Sequence, residues 1–103
     1  MSSIHIQLRP TGSAINFPQH DAGEGFDRIE SGLVALGFKK RRNWSTVFEE
    51  ATLYRIGSFE ALVSWDGYFT DLTRVGGGGL LELFEAMSAS PHFHAIEVAP
   101  EAS

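Results

Sequence analysis

The chain contains no cysteine, which removes disulfides, thiolate metal ligands and a cysteine nucleophile together. Long apolar runs are also missing. Nothing approaches the ~20 residues that a membrane-crossing helix requires, and the start Met1-Ser2-Ser3-Ile4-His5-Ile6 has neither the basic nor the apolar region of a secretory signal. A cytoplasmic protein held together by packing alone is therefore expected. Positive charge is in deficit, with 8 Lys and Arg against 13 Asp and Glu. A surface of that balance repels a phosphate backbone, so the expected partner is a basic protein and not a nucleic acid or a membrane.

What is present suits one globular domain. The 103 residues are 43% hydrophobic, enough for a single core. The expected domain is residues 1–103, with 99–103 as a frayed tail. Charge is unevenly placed: residues 1–20 carry +1, 21–30 carry -3, 31–48 carry +4 and 49–103 carry -7.

Hydrophobic periodicity lays out the elements. Ile4, Ile6 and Leu8 alternate with His5, Gln7 and Arg9, a half-buried strand stopped by Pro10. Residues 10–22 read as loop. Asp21 with Glu24 has the spacing of a capping box, and Phe26, Ile29, Leu33 and Leu36 form the buried stripe of a helix that Gly37 ends. Lys39 to Arg42 read as a solvated basic terminus just beyond it. Thr46 to Ile56 and Phe59 to Asp66 are β-prone runs around Gly57-Ser58, a pair suited to a type II′ turn. That turn pairs Ile56 with Phe59, Tyr54 with Ala61 and Thr52 with Val63 on one side, and Arg55 with Glu60, Leu53 with Leu62 and Ala51 with Ser64 on the other. Asp66-Gly67 offers a second hairpin turn into an optional strand over 68–75. Leu80, Leu83, Phe84 and Met87 then give a second helix that stops near Ser90-Pro91, and Phe93 to Val98 closes as a strand.

The resulting order is β-α-β-β-(β)-α-β. It predicts an α+β domain: an antiparallel sheet of 4–5 strands with two helices on one face. In strand order this resembles the ferredoxin-like split βαβ arrangement, or a meander variant of it. Such an arrangement hosts many functions and selects none.

Several constellations invite chemistry and fall short. Gly76 to Gly79 precede a helix, but Leu80-Leu81-Glu82 follow where a phosphate loop needs a lysine, so a strand-to-helix connector is expected. His5, His20, His92 and His94 raise a metal site. With Ile96 and Val98 facing the core, His94 shares their side while His5 points away from Ile4 and Ile6, so the two are expected on opposite faces and no metal ligand or cofactor is assigned. The carboxylates Glu49, Glu50, Asp66 and Asp71 gather near one end of the hairpin, with no nucleophile or oxyanion donor beside them. They read as an acidic patch. Lys39-Lys40-Arg41-Arg42-Asn43-Trp44 joins cations to an aromatic, too briefly for a nucleic-acid groove.

Leu53, Leu62 and Val47 fall on the second face of the sheet, which is either open or covered by the loop carrying Ile15 and Phe17. The expectation is a non-catalytic protein-binding module. It would capture a basic partner through Glu49, Glu50, Asp66, Asp71, Leu53 and Leu62, as a toxin-neutralising immunity protein does by occlusion, with a homodimer through the open face as an accompanying option. The alternative is a small-ligand-binding or regulatory domain with a pocket lined by Phe17, Trp44 and Trp65.

Overall fold

The computed structural model describes residues 4–10, 12–18, 25–46, 49–66, 69–77 and 79–96. Asp21, His20, Glu24, Val47, Gly67, Tyr68 and the Phe26 side chain, all used in the sequence reading, lie outside what is described.

The elements are β1 (Ile4–Leu8), β2 (Ile15–Asn16), α1 (Gly25–Ala35), β3 (Lys39–Ser45), β4 (Glu50–Ile56), β5 (Phe59–Trp65), β6 (Thr70–Gly76), α2 (Leu80–Ser88) and β7 (Phe93–Ala95). They form one seven-stranded sheet in the order β3-β4-β5-β6-β2-β1-β7. All neighbours are antiparallel except β1 and β7, which run parallel. The sheet is therefore mixed and larger than the 4–5 antiparallel strands expected, and the ferredoxin-like order does not apply.

Two segments make the difference. The described part of the expected loop, residues 12–18, is not a covering loop: Arg9 N–H donates to the Ala14 carbonyl, and Ile15 and Asn16 bridge β1 to β6. Without β2 the two halves of the sheet would be separate. Lys39 to Arg42 are not a solvated helix terminus either. They begin an edge strand, and the run expected from Thr46 to Ile56 is broken by a reversal in which Thr46 N–H donates to the Glu49 carbonyl and Glu49 N–H to Thr46 Oγ1.

The remaining elements form as their patterns require. Ile29 and Leu33 are buried on α1, and Leu80, Leu83 and Met87 on α2, the i, i+3, i+4 and i+7 spacing of a helix that buries one stripe. At the end of α1, Gly37 N–H donates to the Val34 carbonyl and Phe38 N–H to the Leu33 carbonyl. That pair of bonds is a Schellman ending, and its apolar clamp is Leu33 against Phe38 in the core. The turn residue Gly57 has φ of 57°, while no residue other than glycine takes a positive φ among those described, as a type II′ turn with serine second demands. The optional strand after Asp66 exists as β6.

Both helices lie on the same face. Their stripes meet Ile4 and Ile6 of β1, Ile15 of β2, Tyr54 of β4, Ala61 and Val63 of β5, Leu72 of β6 and Phe93 of β7 in one cluster. Gly32 of α1 lies against the Phe93 ring, which a side chain there would meet at 2.4 Å. No helix among the described residues is long and apolar enough to cross a membrane.

Candidate functional site

The sheet's other face is where function must be sought, because no described helix covers it. Strand alternation and the pairing register place on this face Arg42 and Trp44 of β3, Ala51, Leu53 and Arg55 of β4, Glu60, Leu62 and Ser64 of β5 and Asp71 and Thr73 of β6. Leu53 and Leu62 stand directly opposite one another and are half-buried by their neighbours. Ile15 and Phe17, which could have folded over them, are buried on the helix side instead. The apolar strip is thus open among the described residues.

The acidic residues expected to act as one patch occupy different settings. Asp71 is held by Arg9: Arg9 Nη2 reaches both its carboxylate oxygens at 3.0 and 3.1 Å and Nε reaches Oδ1 at 3.2 Å. Buried Asn16 donates to the same Oδ1 at 3.1 Å, and the guanidinium lies over the Phe69 ring at 5.4 Å. Four donated bonds leave Asp71 little capacity for a basic partner. Asp66 closes the turn into β6, its Oδ1 accepting from Phe69 N–H at 2.9 Å. Glu50 lies in β4 on the helix side, in phase with Thr52 and Tyr54, and Glu49 is exposed in the turn before it. The residues proposed for a ligand pocket do not converge. Phe17 is 1% exposed in the core and Trp44 43% exposed at the opposite edge, while Trp65 is half-buried at the end of β5.

The cations, by contrast, are free to act. Every residue of β3 from Lys39 to Ser45 is exposed, and β3 is the last strand of the sheet on that side. A bulge falls between Lys40 and Arg42. Arg42 stacks on Trp44, with 5.3 Å from its guanidinium carbon to the ring centre, and Arg55 stands opposite Lys39 on the neighbouring strand. Arg55 Nε donates to the Gly57 carbonyl at 2.8 Å, which fixes that cation at the hairpin end. A hollow of about 270 Å³ is lined by Gly37, Lys39, Arg41, Arg55, Ile56 and Gly57, three of them cations. The charge run was visible in the sequence and was misplaced: beyond the Gly37 helix stop no apolar alternation marks residues 39–42 as a strand, and Lys and Arg are good helix formers.

Lys40 is the one cation of β3 in an ion pair among the described residues. It faces the helix side with Tyr54, and its Nζ lies 3.5 Å from Glu30 of α1. Tyr54, 1% exposed, donates its hydroxyl to the same Glu30 oxygen at 3.2 Å. Burial, then the neighbouring Glu30 charge and this donated bond, push the Tyr54 pKa well above the ordinary tyrosine value. The folded state therefore holds the phenol proton more tightly than the unfolded chain. This proton linkage costs nothing below the unfolded value of about 10, and stability falls by up to about 1.4 kcal/mol per pH unit as pH rises above it. Tyr54→Phe should lose about 1 kcal/mol at pH 7 from the missing hydrogen bond. Above pH 10 its urea midpoint should fall less steeply than wild type, and the two curves should converge; parallel curves would deny the linkage.

A larger cleft, about 480 Å³, lies between the β4–β5 turn and α2, lined mainly by Leu36, Phe38, Ile56, Phe59, Leu83 and Ala86. Its size is that of a small-molecule pocket. Glu82 is its one ionisable lining residue among those described, so it lacks the convergent polar groups that orient a ligand or support catalysis. No family model, curated protein or solved structure matches this chain.

Proposed function

We propose that the chain is a non-catalytic protein-binding module whose partner is an acidic extended segment that adds to the sheet along β3. The observation that carries this reading is β3 itself: a seven-residue edge strand, exposed at every position, whose outer edge pairs with nothing among the described residues. An edge of that length offers main-chain hydrogen bonds to an incoming strand. The charges then choose the strand. A second copy would set cations against cations, which opposes self-pairing, whereas Asp or Glu side chains at alternate positions would stand beside Lys39 and Arg42 on the face those two share. This supports an acidic partner in place of the basic one suggested by composition, because Asp71 is engaged by Arg9 and the β3 cations are exposed.

The test uses synthetic twelve-residue peptides with alternating acidic and β-branched residues, titrated against the full chain by Trp fluorescence and calorimetry. Binding should weaken steeply with salt, fall about ten-fold or more in Lys39→Glu/Arg42→Glu, and be lost when alternate peptide amides are N-methylated. Equal binding of the N-methylated peptide would reduce the contact to charge alone and remove the strand-addition reading. A basic peptide that bound instead, and weakened with Asp66→Ala, would restore capture of a cationic partner.

A further inference from the structure

The parallel pairing of β7 with β1 creates a second constellation at the far end of the sheet, independent of β3. Ile4 pairs with Phe93, His5 with His94 and Ile6 with Ala95. Ile4, Ile6 and Phe93 are buried in the core and Ala95 packs against it, so the imidazole between each flanking pair points to the uncovered face. The two rings therefore stand side by side, with centres 5.4 Å apart and planes tilted by 52°. His94 is exposed and His5 half-buried. The expectation of opposite faces is overturned. It assumed that Ile96 and Val98 set the core side of the last strand, whereas Phe93 and Ala95 do.

Ring separation is a measure of what the pair can hold. A tetrahedral ion with Zn–N bonds of about 2.0–2.1 Å lies about 3.2 Å from each ring centre, which sets two ligating imidazoles about 5.2 Å apart, centre to centre. Adjacent ligands of a square-planar ion would come to about 4.5 Å. The observed separation of 5.4 Å falls with the tetrahedral geometry. Adjacent backbone strands already hold both side chains in register, so little freedom is lost on binding.

We infer that His5 and His94 form a two-imidazole site for a tetrahedral divalent ion of the zinc class. No group of three His, Cys, Asp or Glu side chains suited to a metal occurs among the described residues. The ion accordingly keeps exchangeable positions for water or for a donor on a bound molecule. Holding it also ties the three-residue strand β7 to β1.

Two-bond ¹H–¹⁵N spectra of the labelled full chain, titrated with zinc chloride, give the direct test. The His5 and His94 ring resonances should move together with one stoichiometry, while those of His20 and His92 stay in place. By calorimetry, His5→Ala and His94→Ala should each weaken Zn²⁺ binding about ten-fold or more, because one imidazole loses the chelate advantage, and His92→Ala should leave it unchanged. Amide exchange at Ile6 and Ala95 should slow with Zn²⁺ in wild type and not in His94→Ala. Binding that survives both single substitutions, or is lost equally with His92→Ala, would overturn the site. So would unmoved His5 and His94 resonances at millimolar Zn²⁺, and the wild-type spectra decide alone if an alanine variant unfolds.

Discussion

Phe17→Ala should cost the fold about 3–5 kcal/mol, read from urea or guanidinium midpoints at constant slope. The ring is 1% exposed and belongs to the same cluster as Ile6, Ile15, Leu33 and Met87. Its own N–H donates to the Thr70 carbonyl at 2.9 Å, so the ring is anchored where β2 joins β6. Truncation would leave a cavity in the core between the sheet and the helices, where collapse is hindered because the strands above it are held by backbone pairing. Against a typical total of about 5–15 kcal/mol, that is a large share. Trp44→Ala is the control. At 43% exposure on an edge strand and outside the buried cluster, it should cost about 1–2 kcal/mol, clearly less than Phe17→Ala. A small effect at Phe17 and a large one at Trp44 would mean that the two aromatics have the reverse roles.

The legible parts of this fold are those where local chemistry and the buried face agree. The β4–β5 hairpin is the clearest case. Gly57-Ser58 fixes a two-residue turn, alternation fixes the faces, and all six pairs from Ile56–Phe59 to Ala51–Ser64 fall in the expected register. The Arg55–Glu60 pair shows the limit of such reading: the two stand opposite one another, but Arg55 Nε bonds the Gly57 carbonyl. The ending of α1 was readable for a similar reason, since Gly37 and Phe38 carry both the turn and its apolar clamp.

The unreadable parts are strands stabilised by neighbours in place of their own composition. Lys39 to Arg42 contribute no apolar residue, and only pairing with the strong strand β4 makes them extended. Their charge is what an unprotected sheet edge carries. Ile15-Asn16 is too short to show any period, and its existence depends on β1 and β6 arriving on either side. The His5–His94 pair failed for a subtler reason. Parity along a strand relates its side chains to each other, but which parity faces the core depends on where the strand docks, and Phe93 decided that for β7. The setting of Asp71 was not legible because Arg9 and Asp71 are 62 residues apart in sequence, a pairing that no local pattern encodes. The expected fold, an antiparallel ferredoxin-like sheet of 4–5 strands, was thus overturned in strand number and pairing, although the two helices and the β4–β5 hairpin occur as elements.

Gly77→Ala should destabilise the protein by about 2–5 kcal/mol, the sum of a positive backbone angle and a backbone collision. Gly77 has φ of 89°, where a residue with a side chain is strained. A Cβ there would also lie 2.4 Å from the Ser58 carbonyl oxygen and 2.5 Å from the Phe59 Cα, atoms of a tight hairpin that cannot rotate away. The close approach exists because β6 runs past the β4–β5 turn before the chain enters α2, with Arg74 Nη1 bonding the Gly77 carbonyl at 3.1 Å. The other described glycines of the run make no such demand. A Cβ at Gly76 meets nothing within 4 Å, and at Gly79 the nearest atom is a flexible Glu82 oxygen at 3.7 Å. Gly76→Ala and Gly79→Ala should therefore stay within about 0.5 kcal/mol of wild type. Equal losses at all three positions would mean that the run is needed for its flexibility. A loss confined to Gly77 would mean that one contact, backbone against backbone, sets how α2 leaves the sheet and so shapes the cleft that Ser58 and Phe59 line.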